Sequence, residues 1–223
     1  MKQAFNKVAL AAVLCAAGGA ATAQSAGSWL IKSGVNTITP QVESGDLSAP
    51  SLPGTKIDVE KATSIILTAT YMLTDAFSLE FYAGLPYEHD VVGDGAIKGV
   101  GKLGSVKQVS PTLFGQYRFF AASAPLRPYV GLGLTYLYHF DEEGSGTLTA
   151  LTNPGGPPTR MSADDAWGVS AQLGVNYKLN ERWFVDASVI KTFIKNENTL
   201  STGQRIETKL DPVSANISLG FRF

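Results

Sequence analysis

Apolar and polar residues alternate along most of the chain with a period of two, the pattern of strands whose two faces meet different surroundings. In 165–179, for example, Trp167, Val169 and Leu173 share one face, and glycine, serine and amide residues occupy the other. Each such segment is near or above the roughly 10 residues that a tilted membrane strand requires. We expect strands at 29–39, 62–73, 77–86, 106–120, 128–140, 165–179, 182–195 and 207–223.

The connections between these segments alternate between two lengths. Short turns are expected at 74–76, 122–126 and 180–182. Long polar loops, rich in glycine and proline, are expected at 40–60, 87–105, 141–163 and 196–206. Tight turns at one end and long loops at the other are typical of outer-membrane barrels, which place the long loops outside the cell.

The alternation does not say which face lies inside, since a soluble lipocalin-like barrel would turn its apolar face inward. Three features favour a membrane barrel. The polar face is rich in glycine, serine and threonine, which fit a narrow interior, and aromatics such as Trp29 and Trp183 cluster at strand ends. The third is an export signal. The sequence thus predicts an all-β fold, an eight-stranded antiparallel up-and-down transmembrane β-barrel, with a soluble barrel or sandwich as the alternative.

The N-terminal segment has the features of a secretory signal peptide. Two lysines precede the apolar run "VALAAVLCAAGGA", and the small residues "ATA" end at Ala23. We expect residues 1–23 to be removed and residues 24–223 to form a single barrel domain. Cys15 is the only cysteine and lies in the leader, so the expected mature chain contains no disulfide and no thiolate metal site.

The alternation continues to the last residue of the chain. Phe223, Phe221 and Leu219 alternate with Arg222 and Gly220. A closed barrel requires this regularity, because unpaired backbone in hydrocarbon costs several kcal/mol per group. The terminal aromatic also resembles the signal read by the barrel-insertion machinery, which we therefore expect to recognise Phe223.

Several stretches resemble the OmpW family of small outer-membrane barrels: "WLIKSGVNTITP", "VSPTLFGQYRFF", "LRPYVGLGLTYLYHF", "AWGVSAQLGVNYKLNERWFVDASV" and "GFRF". The resemblance covers essentially the whole mature chain in order. It implies a monomeric barrel with a narrow, partly hydrophobic interior, linked to uptake of small hydrophobic compounds and, in some members, to lateral exit into the membrane. Other members serve as phage or colicin receptors. "SPT" at Ser110–Thr112 departs from the expected pattern, which leaves the substrate open.

The polar face, turned inward, gathers charges in the half of the barrel near the short turns. Opposite charges in a narrow interior are expected to pair, because an isolated buried charge is too costly. We predict a plugged floor made of Lys32, Glu80, Gln116, Arg118, Lys178, Asp186 and Arg222. The alternative is that these charges are solvated at the periplasmic rim.

Apolar residues on the inward face indicate either a hydrophobic ligand site or plain core packing, and the family resemblance favours the ligand site. Near the long loops these residues are Ile66, Pro86, Leu137, Ile190 and Ile194. Deeper in the barrel they are Tyr82, Phe114, Tyr129 and Phe184. A charged floor would force such a ligand sideways, and Pro111 and Pro212 each remove a ladder donor where a lateral exit could form. A bulge or a strand end is the alternative at both prolines.

The sequence gives little indication of nucleic-acid binding, catalysis or metal binding. The formal net charge is −1 and the sequence pI is about 6.1, so nothing indicates nucleic-acid binding. His89 is expected in a solvated loop, and His139 lies on the inward face near acidic residues. No "GxSxG" nucleophile elbow and no metal-ligand spacing occurs. We therefore expect no enzyme activity, no metal and no cofactor.

The sequence thus predicts a non-enzymatic outer-membrane channel for passive uptake of small hydrophobic solutes, in contact with outer-membrane lipids and lipopolysaccharide. The alternative is a plugged structural or recognition barrel whose extracellular loops bind lipopolysaccharide, a host surface or phage. The two differ in whether the interior conducts at all.

Overall fold

The computed structural model describes residues 24–223, so the predicted signal peptide lies outside the described residues. The chain forms fifteen strands and one helix in this range. They are β1 (Trp29–Thr39), β2 (Glu43–Ser44), β3 (Thr55–Val59), β4 (Ala62–Met72), β5 (Phe77–Gly84), β6 (Tyr87–Gly95), β7 (Lys102–Val109), β8 (Thr112–Arg118), β9 (Leu126–Gly144), α1 (Gly146–Thr152), β10 (Met161–Ala163), β11 (Ala166–Lys178), β12 (Trp183–Phe193), β13 (Lys195–Leu200), β14 (Arg205–Lys209) and β15 (Val213–Arg222).

Eight of these strands close into an antiparallel barrel in the order β1, β4, β5, β8, β9, β11, β12 and β15. The last strand pairs with the first, with Leu30 opposite Arg222 and Thr39 opposite Val213. The Phe223 amide donates to the Trp29 carbonyl at 2.9 Å. The pairing therefore runs to the end of the chain, as closure requires, and the predicted eight-stranded barrel is confirmed.

The barrel exposes its apolar face. Val169, Leu173 and Ile217 are 55%, 63% and 61% exposed, although each sits in the middle of a strand. Aromatic side chains gather near the strand ends, as in the Trp183–Phe221 ring pair at the short-turn end. An exposed apolar band between aromatic girdles is the surface that a bilayer covers.

The inward face is made of small residues where large rings cross the interior. A Cβ added at Gly174 would overlap the Tyr129 ring, and one added at Gly220 would overlap the Phe184 ring. Glycine on these strands therefore provides the space that an eight-stranded barrel lacks.

The long connections are not simple loops, so this part of the prediction was wrong. The alternation continues above the membrane band, and β3, β6, β7, β13 and β14 extend the barrel strands outward. Ser145 caps α1 by accepting a hydrogen bond from the Leu148 amide at 3.1 Å. Leu148 packs with Leu103 and Leu200, which gives this outer layer an apolar core of its own. In residues 24–223, no helix has the length and apolar character needed to cross a membrane.

Prolines divide three of the predicted strands. The segment 106–120 is split between β7 and β8 at Pro111, and 207–223 is split between β14 and β15 at Pro212. The predicted strand 77–86 ends at Gly84, and Leu85 and Pro86 separate it from β6, which begins at Tyr87. Proline has no amide hydrogen for the ladder, so each of these positions lacks one donor.

Candidate functional site

The lower half of the barrel interior is filled by a network of buried charges. The Lys32 ammonium lies 2.7 Å from Glu80 Oε2 and 3.3 Å from Asp186 Oδ1. The Tyr129 hydroxyl donates to Asp186 at 2.9 Å, and the Thr70 hydroxyl donates to Glu80 at 2.7 Å. All five side chains are buried. We call this network, with Arg118 and its partners, the plug.

Arg118 brings the second positive charge of the plug, so two cations face two carboxylates and the buried charge is balanced. Its guanidinium donates to Gln116 Oε1 at 2.8 Å and also to Asn176 Oδ1. It lies over the Tyr129 ring at 4.9 Å. Gln116 in turn donates to Gln172 at 2.8 Å, which adds β11 to the network. Side chains therefore occupy the cross-section here.

The structure places five of the seven predicted floor residues in the plug and two elsewhere. Lys178 is 32% exposed and its ammonium lies 2.7 Å from Glu181, where it lowers the pKa of that carboxyl. Arg222 donates to the Glu181 carbonyl. Both residues flank the 179–182 turn, so they belong to the rim at the short-turn end.

Sequence reasoning missed a second buried arginine near this rim. Arg127 donates to the Gln24 carbonyl at 2.9 Å and to the Asp75 carbonyl at 2.6 Å. Arg127 lies two residues from Tyr129 on the inward face of β9. The alternation of the sequence therefore indicates that its side chain points into the barrel.

A cavity of about 210 Å³ opens above the plug. Tyr82 and Ile190 line it and pack with Ile66 and Phe114 in an apolar cluster, in which the Tyr82 and Phe114 rings meet edge to face at 6.3 Å. Leu137, Ile194 and the Leu103–Leu148–Leu200 cluster line its walls. The volume exceeds the roughly 150 Å³ of an apolar cavity that admits benzene.

Four of the nine predicted apolar residues line this cavity: Tyr82, Leu137, Ile190 and Ile194. Ile66 and Phe114 pack against Tyr82 and Ile190 in the apolar cluster. The other three lie elsewhere. Tyr129 belongs to the plug, and Phe184 packs with Leu30 and Met72 on the far side of it. Pro86 is exposed on the outer surface, because the irregular 85–86 step between β5 and β6 leaves both of its residues facing out.

Two histidines face the cavity from its upper wall. His89 is only 1% exposed, so the expectation of a solvated loop residue was wrong. Its Nδ1 atom lies 2.7 Å from the Glu60 carbonyl, and its Nε2 atom has no hydrogen-bond partner. His139 is also buried, and its Nδ1 atom has no partner. Burial lowers the pKa of both imidazoles. No three His, Cys, Asp or Glu residues within 24–223 come close enough together to hold a metal ion.

The barrel wall is interrupted at one of the two predicted proline positions. Pairing of β5 with β8 ends at Tyr82 opposite Thr112, and pairing of β6 with β7 begins at Tyr87 opposite Gln108. Four residues on one side therefore face three on the other, and each side contains a proline. This interruption, between 83–86 and 109–111, is called the seam below.

Pro212 makes no such interruption. Its carbonyl accepts from the Thr192 amide at 3.1 Å, and the Leu210 amide donates to the Ile194 carbonyl at 3.0 Å. The register of β12 with β15 therefore continues directly into that of β13 with β14. Neighbouring ladder bonds therefore bridge the missing donor, and this continuity argues against a lateral exit at Pro212.

The model of the OmpW family matches residues 25–223 of this chain. The chain belongs to the OmpW family. Outer membrane protein W of Vibrio cholerae serotype O1 is 32% identical, with both chains covered in full. The crystal structure of the outer membrane protein OprG from Pseudomonas aeruginosa superposes with a TM-score of 0.81 at 30% identity, covering 90% of this chain and 98% of that one. Family and fold place this chain in the outer membrane.

A more distant relative is named for its operon. The dibenzothiophene metabolism operon protein PahQ of Pseudomonas aeruginosa is 23% identical over 180 residues, 79% of each chain. The relatives carry the names of outer-membrane or operon proteins, not of enzymes.

Proposed function

We propose that this OmpW-family barrel is a passive, non-enzymatic route by which small hydrophobic molecules cross the outer membrane. The observation that carries the proposal is the apolar cavity, which lies directly above a neutral, fully packed plug and beside the seam. A molecule that enters from outside is held by apolar walls and meets no aqueous path below.

The plug argues against transfer straight through the barrel. A hydrophobic solute would have to displace paired charges, and breaking a buried ion pair is strongly unfavourable. A polar solute would meet the same obstacle after crossing an apolar chamber. The plug thus directs a cavity-bound molecule sideways.

The seam provides that sideways path. Tyr82, Ser110 and Thr112 line the cavity beside it. Leu85 and Leu113 are exposed on the outer surface at the same height. A hydrophobic molecule would therefore leave one apolar environment and enter another, the bilayer, with few ladder bonds to break. The name of the relative PahQ, from a dibenzothiophene metabolism operon, supports an apolar aromatic as the type of cargo.

An uptake assay tests the proposal. Cells that express the Leu137→Asp variant should take up a fluorescent naphthalene derivative severalfold more slowly than wild-type cells, because a carboxylate in the cavity opposes an apolar ligand. Ala150→Asp places the same charge on an exposed position of α1 and should leave the rate unchanged. Equal uptake by both variants and by cells without the barrel would favour the alternative function, a recognition barrel whose interior does not conduct.

A further inference from the structure

Five residues that line the cavity each carry a buried polar atom with no hydrogen-bond partner: Asn36 Oδ1, Tyr82 OH, His89 Nε2, His139 Nδ1 and Asn196 Oδ1. Native proteins leave few buried polar atoms unpaired, since each loses its water without a replacement. Five such atoms on the residues around one cavity indicate that something else completes their hydrogen bonds.

The two histidine nitrogens have a defined character. The Glu60 carbonyl can only accept, so the His89 Nδ1 atom 2.7 Å away carries the hydrogen and the unpartnered Nε2 atom is a bare acceptor. The His139 Nδ1 atom is likewise buried without a partner, so it can accept a hydrogen bond when the ring proton is on Nε2. Burial lowers the pKa of the His89 ring, which favours its neutral form.

The charges around the cavity limit the ligand further. Among the described residues that line it there is no lysine or arginine, and Glu142 is the one charged side chain. An anionic head group would therefore find no cation and would be repelled by bare acceptors. A neutral group that donates a hydrogen bond fits this wall.

We propose that the cavity selects neutral, mainly apolar molecules that carry one hydroxyl or N–H donor, which they direct to His89 Nε2 or His139 Nδ1. Aromatic alcohols and N–H heteroaromatics have this chemistry. The inference rests on the proposed function, because it assumes that the cavity admits apolar molecules, and it adds a polar selectivity to that role.

A set of matched ligands tests the selectivity. Isothermal titration of the protein in lipid nanodiscs, against empty nanodiscs, would compare 1-naphthol, its methyl ether and 1-naphthoate at pH 7.5. The ether keeps the rings but cannot donate, and the acid is an anion. We expect 1-naphthol to bind about three- to tenfold more tightly than the ether, the range that one net hydrogen bond provides. Naphthoate should bind most weakly.

Two variants assign the effect to the histidines. Replacing both rings, as His89→Phe with His139→Phe, keeps aromatic side chains without acceptors and should reduce the preference for 1-naphthol over the ether to about one. Ile194→Ala removes apolar contact only. It should weaken the binding of both ligands by a similar factor and preserve the preference for 1-naphthol over the ether.

The outcomes separate the two proposals. If the ether binds wild-type protein as tightly as 1-naphthol, the selectivity is wrong while the apolar cavity stands. If neither ligand binds beyond empty nanodiscs, the proposed function fails as well. The wild-type ligand comparison gives this result even if the double variant does not fold.

Discussion

The Lys32 ammonium lies 2.7 Å from Glu80 Oε2, although the strands β1 and β5 that carry these residues are separated by β4 in the sheet. The same ammonium reaches Asp186 on a third strand. One side chain thus joins three strands that do not pair with one another, so we expect the plug to act as an internal brace.

Removing that ammonium should strongly destabilise the barrel. Lys32→Met leaves Glu80 and Asp186 as buried carboxylates without their shared cation, and breaking such a pair costs about 3–5 kcal/mol. Urea unfolding in lipid vesicles, followed by circular dichroism, measures the loss. Lys178→Met is the matched control, because its partner Glu181 lies at the solvated rim, and it should change the free energy of unfolding little. A comparable loss in both variants would contradict the brace.

A methyl group opposite Tyr129 should also be poorly tolerated. The Tyr129 ring is fixed by its hydrogen bond to Asp186 and fills the space beside Gly174. Gly174→Ala should therefore destabilise the barrel by about 1–3 kcal/mol through overpacking. Gly146→Ala is the control, since an added Cβ there meets nothing within 4 Å. The same urea titration would show whether the two variants differ; equal midpoints would mean that the ring has room to move.

The sequence predicts the part of the fold that depends on a period of two. Val169 and Ile217 face outward and Lys32 and Asp186 face inward because alternate side chains of any strand point to opposite faces. That rule, together with the small size of the inward residues, is enough to predict the barrel and the existence of a charged plug.

The position of each inward side chain along the barrel axis could not be predicted in the same way, because it depends on the register between strands. Tyr129 and Leu137 share the inward face of β9, yet one joins the plug and the other lines the cavity. The alternation of inward and outward side chains is itself interrupted at residues 85–86, where Leu85 and Pro86 are both exposed. The step reverses the alternation, so His89 turns inward, and local propensity gives no sign of this.

Cross-linking the seam should slow lateral exit. Ala83 and Pro111 occupy the next positions in the register that pairs Tyr82 with Thr112. In the Ala83→Cys/Pro111→Cys variant, an oxidised disulfide would hold the two edges together, and uptake of a naphthalene derivative should fall severalfold and recover with reductant. Lys191→Cys/Val213→Cys cross-links a continuous ladder near Pro212 and should leave uptake unaffected by oxidation. Identical redox responses would argue against the seam as the exit.

His89 should make barrel stability depend on pH. Burial lowers its folded-state pKa below the unfolded value of about 6.5; nearby His139 lowers it further, while Asp90 acts in the opposite direction. Well above a pH of about 6.5 the ring is neutral in both states and its contribution is complete. As the pH falls below that value the unfolded chain binds a proton that the folded barrel does not, so stability declines until the folded-state pKa is reached. His89→Phe cannot titrate, so its unfolding free energy in vesicles should fall less than that of wild type between pH 7.5 and 5.5. Because carboxylates titrate in both proteins, the difference between the two curves isolates the histidine, and a difference that stays constant with pH would show that His89 is not held neutral.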